Sequence, residues 1–125
     1  MEIQLRNYAH LGDAIWEVIV REYTVDKAVT VKALHQMTTA RVRADFQSKL
    51  LNELEQLLTD NEREIMRRAR NIPVPSARRN MQQEYRMATA FETLIGYWYI
   101  NDKARFEEIK AVLNEKIIFE EDANG

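Results

Sequence analysis

The chain contains no cysteine, which excludes disulfide bridges, thiolate metal sites and cysteine nucleophiles together. It has only two serines, Ser48 and Ser76, and two histidines, His10 and His35. Neither serine stands in a nucleophile-like setting, and each isolated histidine reads as a structural or surface residue. Glycine occurs three times and proline twice. There is therefore no glycine-rich phosphate loop, and little to interrupt helices. No apolar run approaches the ~20 residues needed to cross a bilayer. The opening Met1–His10 stretch lacks the basic-then-apolar layout of a secretory signal. These absences predict a cytoplasmic protein without a membrane segment, whose chemistry comes from carboxylates, arginines and a metal ion.

What is present suits one compact domain. The 125 residues are 46% hydrophobic and 30% charged, enough for one core under a polar surface. The net charge of −2 conceals an uneven distribution. Arg63, Arg67, Arg68, Arg70, Arg78, Arg79 and Arg86 crowd a stretch in which only Glu64 and Glu84 are acidic. After Phe106 the sign reverses, with Glu107, Glu108, Glu115, Glu120, Glu121 and Asp122. An acidic tail is expected from about residue 119. Such a chain has a polarised surface.

Apolar residues recur at helical spacing nearly throughout, with no strand alternation and no repeat. Leu5 and Ala9 suggest a short first helix. Ile15, Trp16, Val18, Ile19 and Val20 crowd more than one face of the next, Asp13 to about Tyr23, which predicts a helix running through the core. Thr30 is placed to cap a short helix containing Val31, Leu34 and Met37. Val42, Phe46, Leu50, Leu54 and Leu58 predict one long amphipathic helix from about Thr39 to Leu58. Thr59 and Glu62 stand in capping-box spacing for a helix ending near Arg70. Pro73 and Pro75 mark a loop over 71–80. A further apolar helix is expected from about Met81 to Ile100, and Asn101 or Asp102 caps the last one.

Two carboxylates stand out because their neighbours are apolar. Asp13 lies between Leu11-Gly12 and Ala14-Ile15-Trp16, and Glu92 between Ala90-Phe91 and Thr93-Leu94-Ile95-Gly96. A carboxylate on a mostly buried helix is costly unless paired or bound to a cation. Oxygen-only ligation suits Mg²⁺ or Mn²⁺, ions that assist phosphodiester hydrolysis. From spacing alone, other readings stand beside this one. Asp13 could cap the helix it opens, with Gly12 giving a turn, and Glu92 could pair with a core arginine. Glu17, four residues after Asp13, reads as a salt-bridge partner or as a group orienting Asp13.

The stretch from Tyr8 to Glu17, with Leu11-Gly12-Asp13 at its centre, resembles the first signature of the ribonuclease III family. The stretch Thr89 to Tyr99, with Glu92 ahead of Leu94-Ile95-Gly96, resembles the second. The resemblance covers roughly residues 5–113 and is closest to the Mini-ribonuclease III branch, which consists of the catalytic domain alone. Arg70-Asn71 and Tyr85-Arg86 also match that branch. The resemblance implies an all-α ribonuclease III endonuclease-domain bundle as a single domain, with no double-stranded-RNA-binding domain after it. It further implies a homodimer that uses Mg²⁺, with Mn²⁺ as the substitute, to cleave double-stranded RNA. The substrate it implies is the 23S ribosomal RNA precursor, with a ribosomal protein as a partner that could present it.

The chain departs from the full-length enzymes at three positions. Where those carry two glutamates ahead of the Leu-Gly-Asp, this chain has Arg6 and Ala9, and where they carry an aspartate before the second-motif glutamate it has Thr89. Only Asp13 and Glu92 therefore transfer as catalytic and metal-binding carboxylates. For RNA, Arg68, Arg70, Asn71, Arg78, Arg79 and Arg86 are the expected contacts, with Asn80 as a polar helper. Duplex RNA is gripped chiefly through phosphates and 2′-hydroxyls. Trp16 and Tyr97-Trp98-Tyr99 are candidates either for a dimer face or for the core. The competing reading is a non-catalytic helical module that binds structured ribosomal RNA.

Overall fold

The computed structural model describes residues 2–73 and 82–118. Among them are six α-helices, one turn of 3₁₀ helix and no strand: α1 (Leu5–Thr24), α2 (Val31–Val42), α3 (Ala44–Leu54), the 3₁₀ turn Glu55–Leu57, α4 (Asp60–Arg70), α5 (Gln82–Asn101) and α6 (Lys103–Lys116). The all-α expectation holds. The acidic tail from residue 119, and Arg78, Arg79 and Asn80, lie outside the described residues.

Local capping chemistry sets several boundaries as expected. Thr30 accepts from the Ala33 amide and opens α2. Thr59 and Glu62 form a reciprocal capping box at α4, which satisfies two otherwise orphaned donors. Asp102 accepts from the Arg105 amide at 3.0 Å and opens α6.

Three expectations are corrected. The first two helices are one, since α1 runs unbroken through Gly12 and Asp13. Asp13 is therefore mid-helix and caps nothing, and Gly12 makes no turn. The helix at the centre is α5, not α1. On α5, Met87, Ala88, Ala90, Phe91, Thr93, Leu94, Ile95, Gly96 and Trp98 are buried on all sides, and α1, α3, α4 and α6 all pack against it. On α1, Tyr8, Gly12, Trp16, Ile19 and Val20 form one buried stripe, while Val18 is 57% exposed.

The expected helix from Thr39 to Leu58 is also divided. Arg43 is extended, with φ −68° and ψ 153°, and serves as the end of α2 and the start of α3. The apolar period continues across this break, but tertiary packing overrides it: α2 lies on α1 and α3 on α5. Side chains take over the interrupted ladder. The Phe46 amide donates to its neighbour Asp45 Oδ1 at 2.9 Å, and Gln47 Nε2 donates to the Val42 carbonyl at 3.1 Å.

Two fully buried tryptophans join the layers. Trp16 stacks edge-to-face on Phe91, with centroids 5.1 Å apart, and donates to the Arg41 carbonyl at 2.9 Å. Trp98 donates to Glu62 Oε2 at 2.8 Å, and the same carboxylate receives Arg105. Both rings are thus core residues within one subunit, whereas Tyr99 is partly exposed.

Candidate active site

The crossing of α1 and α5 places the two signature acids. A β-carbon on Gly12 would overlap the Glu92 carbonyl, and one on Gly96 would overlap the Tyr8 carbonyl. Only glycine permits backbones this close. The contact brings Asp13, the residue after Gly12, to the side of Glu92. Both line one cavity of about 660 Å³, together with Val42, Arg43, Ala44, Asp45, Gln47, Tyr85, Ala88 and Thr89. Tyr85, Thr89 and Glu92 form the stripe that α5 presents to this cavity, and Arg43 at the break and Asp45 and Gln47 at the start of α3 face it.

The two acids differ in setting. Asp13 is exposed, which corrects the expectation that both carboxylates are embedded in apolar helix, and Glu92 is half-buried. Among the described residues, no ion pair joins Glu92 to an arginine. Gln47 Nε2 donates to its Oε2 at 3.3 Å, and Asp13 lies within hydrogen-bonding reach. Burial, and then the adjacent Asp13 charge, push the Glu92 carboxyl up to about 8, against the lowering influence of Gln47. Two carboxylates this close cannot both ionise comfortably without a proton or a cation between them. The pair thus fits a hard divalent ion that keeps most of its water shell. Among the described residues, no third Asp, Glu, His or Cys joins them in a cluster. Asp45, in the same cavity, is turned toward Arg43 Nε at 3.3 Å.

The other expected residues fall elsewhere. Glu17 pairs with Arg21 at 3.2 Å and does not line the cavity. Arg68 and Asn71 are exposed at the end of α4, and Arg70 and Arg86 are half-buried. Arg86 Nη1 donates to the Arg70 carbonyl at 2.8 Å, tying α5 to the end of α4. Arg68 borders a second, larger cleft of about 800 Å³ with Arg6, Tyr8, Asn61, Tyr97 and Asn101. Its size does not make it the reactive site, because the apposed acids lie in the smaller cavity. Sequence reasoning missed Gln47, Arg43 and Asp45. The only available signal was a glutamine set among Phe46, Leu50 and Leu51 on an apolar face.

The model of the Ribonuclease III domain matches residues 6–103. The chain belongs to the ribonuclease III family. It is 40% identical over 111 residues to a Mini-ribonuclease 3 of Clostridium tetani, covering 85% of this chain and 74% of that one. A Mini-ribonuclease 3 of Synechocystis is 37% identical, covering 84% and 73%. A crystal structure of a protein from Fusobacterium nucleatum superposes with a TM-score of 0.79 at 33% identity, covering 93% of each chain. The ribonuclease III fold inferred from the two motifs and the resemblance to the Mini branch are both upheld, and the chain is an endoribonuclease. No helix among the described residues is long and apolar enough to cross a membrane.

Proposed function

We propose that this ribonuclease III domain cleaves double-stranded RNA with Mg²⁺, or Mn²⁺ in its place, held by Asp13 and Glu92. The observation that carries the reading is the apposition of two carboxylates in one open cavity, one of them with its proton affinity raised by burial and then by the other. When bound, Mg²⁺ would polarise the scissile phosphoryl group and ease deprotonation of a water. The chain's own residues do the rest. Glu92, whose carboxyl is raised to about 8, would hold the ion in its deprotonated form, the proton passing to solvent. Asp13, on the exposed side, would hold the ion where the cavity opens to solvent. Arg43 offers positive charge at the cavity rim. No serine or cysteine nucleophile is called for, so hydrolysis proceeds without a covalent enzyme intermediate.

The substrate we propose is the precursor of 23S ribosomal RNA, cut in the cytoplasm by a homodimer whose two-fold axis matches the two strands of a duplex. A ribosomal protein that presents the RNA would complete the arrangement. Arg68, Arg70 and Asn71 at the end of α4, Arg86 beside them, and Arg78 and Arg79 are the proposed backbone contacts. The arginine-rich stretch from Arg63 to Arg86 supports them.

The test is to incubate the protein with long duplex RNA in Mg²⁺ and then in EDTA, beside Asp13→Asn. Fragments that need both the metal and Asp13 support the reading. Full cleavage by Asp13→Asn sinks it. An intact, shifted RNA band under all conditions would instead favour the non-catalytic RNA-binding module.

A further inference from the structure

Gln47 is 3% exposed and lies on α3 beside Phe46, Leu50 and Leu51. A primary amide in such a place is costly unless its polar atoms are satisfied. One of them is not: among the described residues its Oε1 is buried without a hydrogen-bond partner. An aliphatic side chain would fill this position with no such penalty. The amide's partners therefore explain its presence. Nε2 donates to the Val42 carbonyl at 3.1 Å and to Glu92 Oε2 at 3.3 Å. These two acceptors also decide the orientation of the amide, because the flipped form would set Oε1 against two oxygens.

The first bond anchors Gln47 to its own chain, across the break at Arg43. The second reaches a different helix and ends on one of the two acids of the cavity. We infer that Gln47 is a positioning residue for the metal site: its Nε2, held by Val42, grips one oxygen of Glu92 and presents the rest of that carboxylate to Asp13 and to a divalent cation. Residues that orient a ligating carboxylate from behind typically change metal affinity 10- to 100-fold when lost. This inference rests on the metal reading of Asp13 and Glu92 and adds a residue outside the two family motifs.

The test measures Mn²⁺ binding directly, by the loss of free-ion signal in electron paramagnetic resonance, alongside thermal unfolding. Gln47→Met keeps the side-chain length and removes the donor. It is expected to lower Mn²⁺ affinity roughly 10- to 100-fold while unfolding cooperatively. Ile109→Val, a buried change on α6, is the control for loss of packing alone and is expected to leave Mn²⁺ affinity unchanged. Equal affinities for Gln47→Met and Ile109→Val would overturn the inference. A second measurement needs no variant. In the wild-type protein, the Gln47 side-chain amide resonances should move with the same Mg²⁺ midpoint as binding, and resonances that stay still at saturation would also overturn it. The two readings fail separately. If Asp13→Asn and Glu92→Gln leave Mn²⁺ affinity intact, the metal reading falls. If they weaken it and Gln47→Met does not, only the role of Gln47 falls.

Discussion

Gly12 packs so closely on Glu92 that a single added methyl group would overlap the glutamate's carbonyl oxygen. The neighbouring Asp13 owes its place beside the Glu92 side chain to this contact. Gly12→Ala must push α1 from α5 and carry Asp13 with it. We expect a loss of about 1–3 kcal/mol from overpacking, or more, because the obstacle is backbone. Cleavage of duplex RNA should fall about a hundredfold, the effect of an ångström's misplacement of a catalytic group. Gly96→Ala meets the Tyr8 carbonyl instead and should lose comparable stability with a smaller loss of activity. Urea unfolding and single-turnover cleavage on both variants check this.

Replacing either acid should remove catalysis by at least about a hundredfold, since a bound cation contributes several kcal/mol of transition-state stabilisation. Glu92→Gln should also stabilise the metal-free protein near neutral pH, because folding must return a proton to this half-buried carboxyl, ionised in the unfolded chain, and the amide carries no such cost. A melting temperature unchanged or lowered in EDTA would contradict that account of Glu92.

The metal-free protein should lose stability as the pH rises. The Glu92 carboxyl is pushed from its ordinary 4.5 up to about 8, first by burial and then by Asp13. The folded protein therefore holds a proton that the unfolded chain has released, and the unfolded state is favoured by raising the pH. This contribution is fully present below about pH 4.5, declines across the interval and is gone above about pH 8. Melting temperatures in EDTA should trace this fall, and Glu92→Gln should flatten it. Saturating Mg²⁺ should reverse it, because a cation prefers the deprotonated carboxylate.

Glu62 should show the opposite dependence. Its burial raises the carboxyl's proton affinity, but hydrogen bonds from Arg105, the Thr59 amide and Trp98 outweigh it and hold the carboxyl below its ordinary value. Its contribution is present above the unfolded value of 4.5 and is lost as the pH falls through the lower folded value. Glu62→Ala should cost about 3 kcal/mol, the lower end for breaking a buried pair, because Arg105 keeps some solvent contact. Because the network lies at the α4–α5–α6 junction, Mn²⁺ affinity should be preserved in this variant.

Arg68→Ala should weaken duplex binding uniformly across sequences and lower the salt slope by roughly one. Arg86→Ala should do this and also lose about 1 kcal/mol of stability, since its guanidinium already holds the Arg70 carbonyl. Filter binding from low to high salt, with thermal melts, separates the two arginines.

The sequence by itself determined the helical class and the caps at Thr30 and Thr59, narrowed the last cap to Asn101 or Asp102, and singled out the two acids as candidates. Each of these is local. A cap is a hydrogen bond between residues three apart, and a signature motif is a contiguous string. Only the tertiary structure decided that α1 continues through Gly12, that the chain breaks at Arg43, and that α5 is the central helix. Gly12 looked like a turn residue because its missing β-carbon reads locally as freedom. In the fold, the same absence makes room for another helix's backbone. The break at Arg43 is invisible in an apolar period that runs straight across it, because packing of α2 on α1 and α3 on α5 imposes it. Gln47 became legible only when that break turned its amide toward Glu92. Asp13 and Glu92 could be named from their motifs, but their contact depends on two glycines and a helix crossing that join residues far apart in the chain.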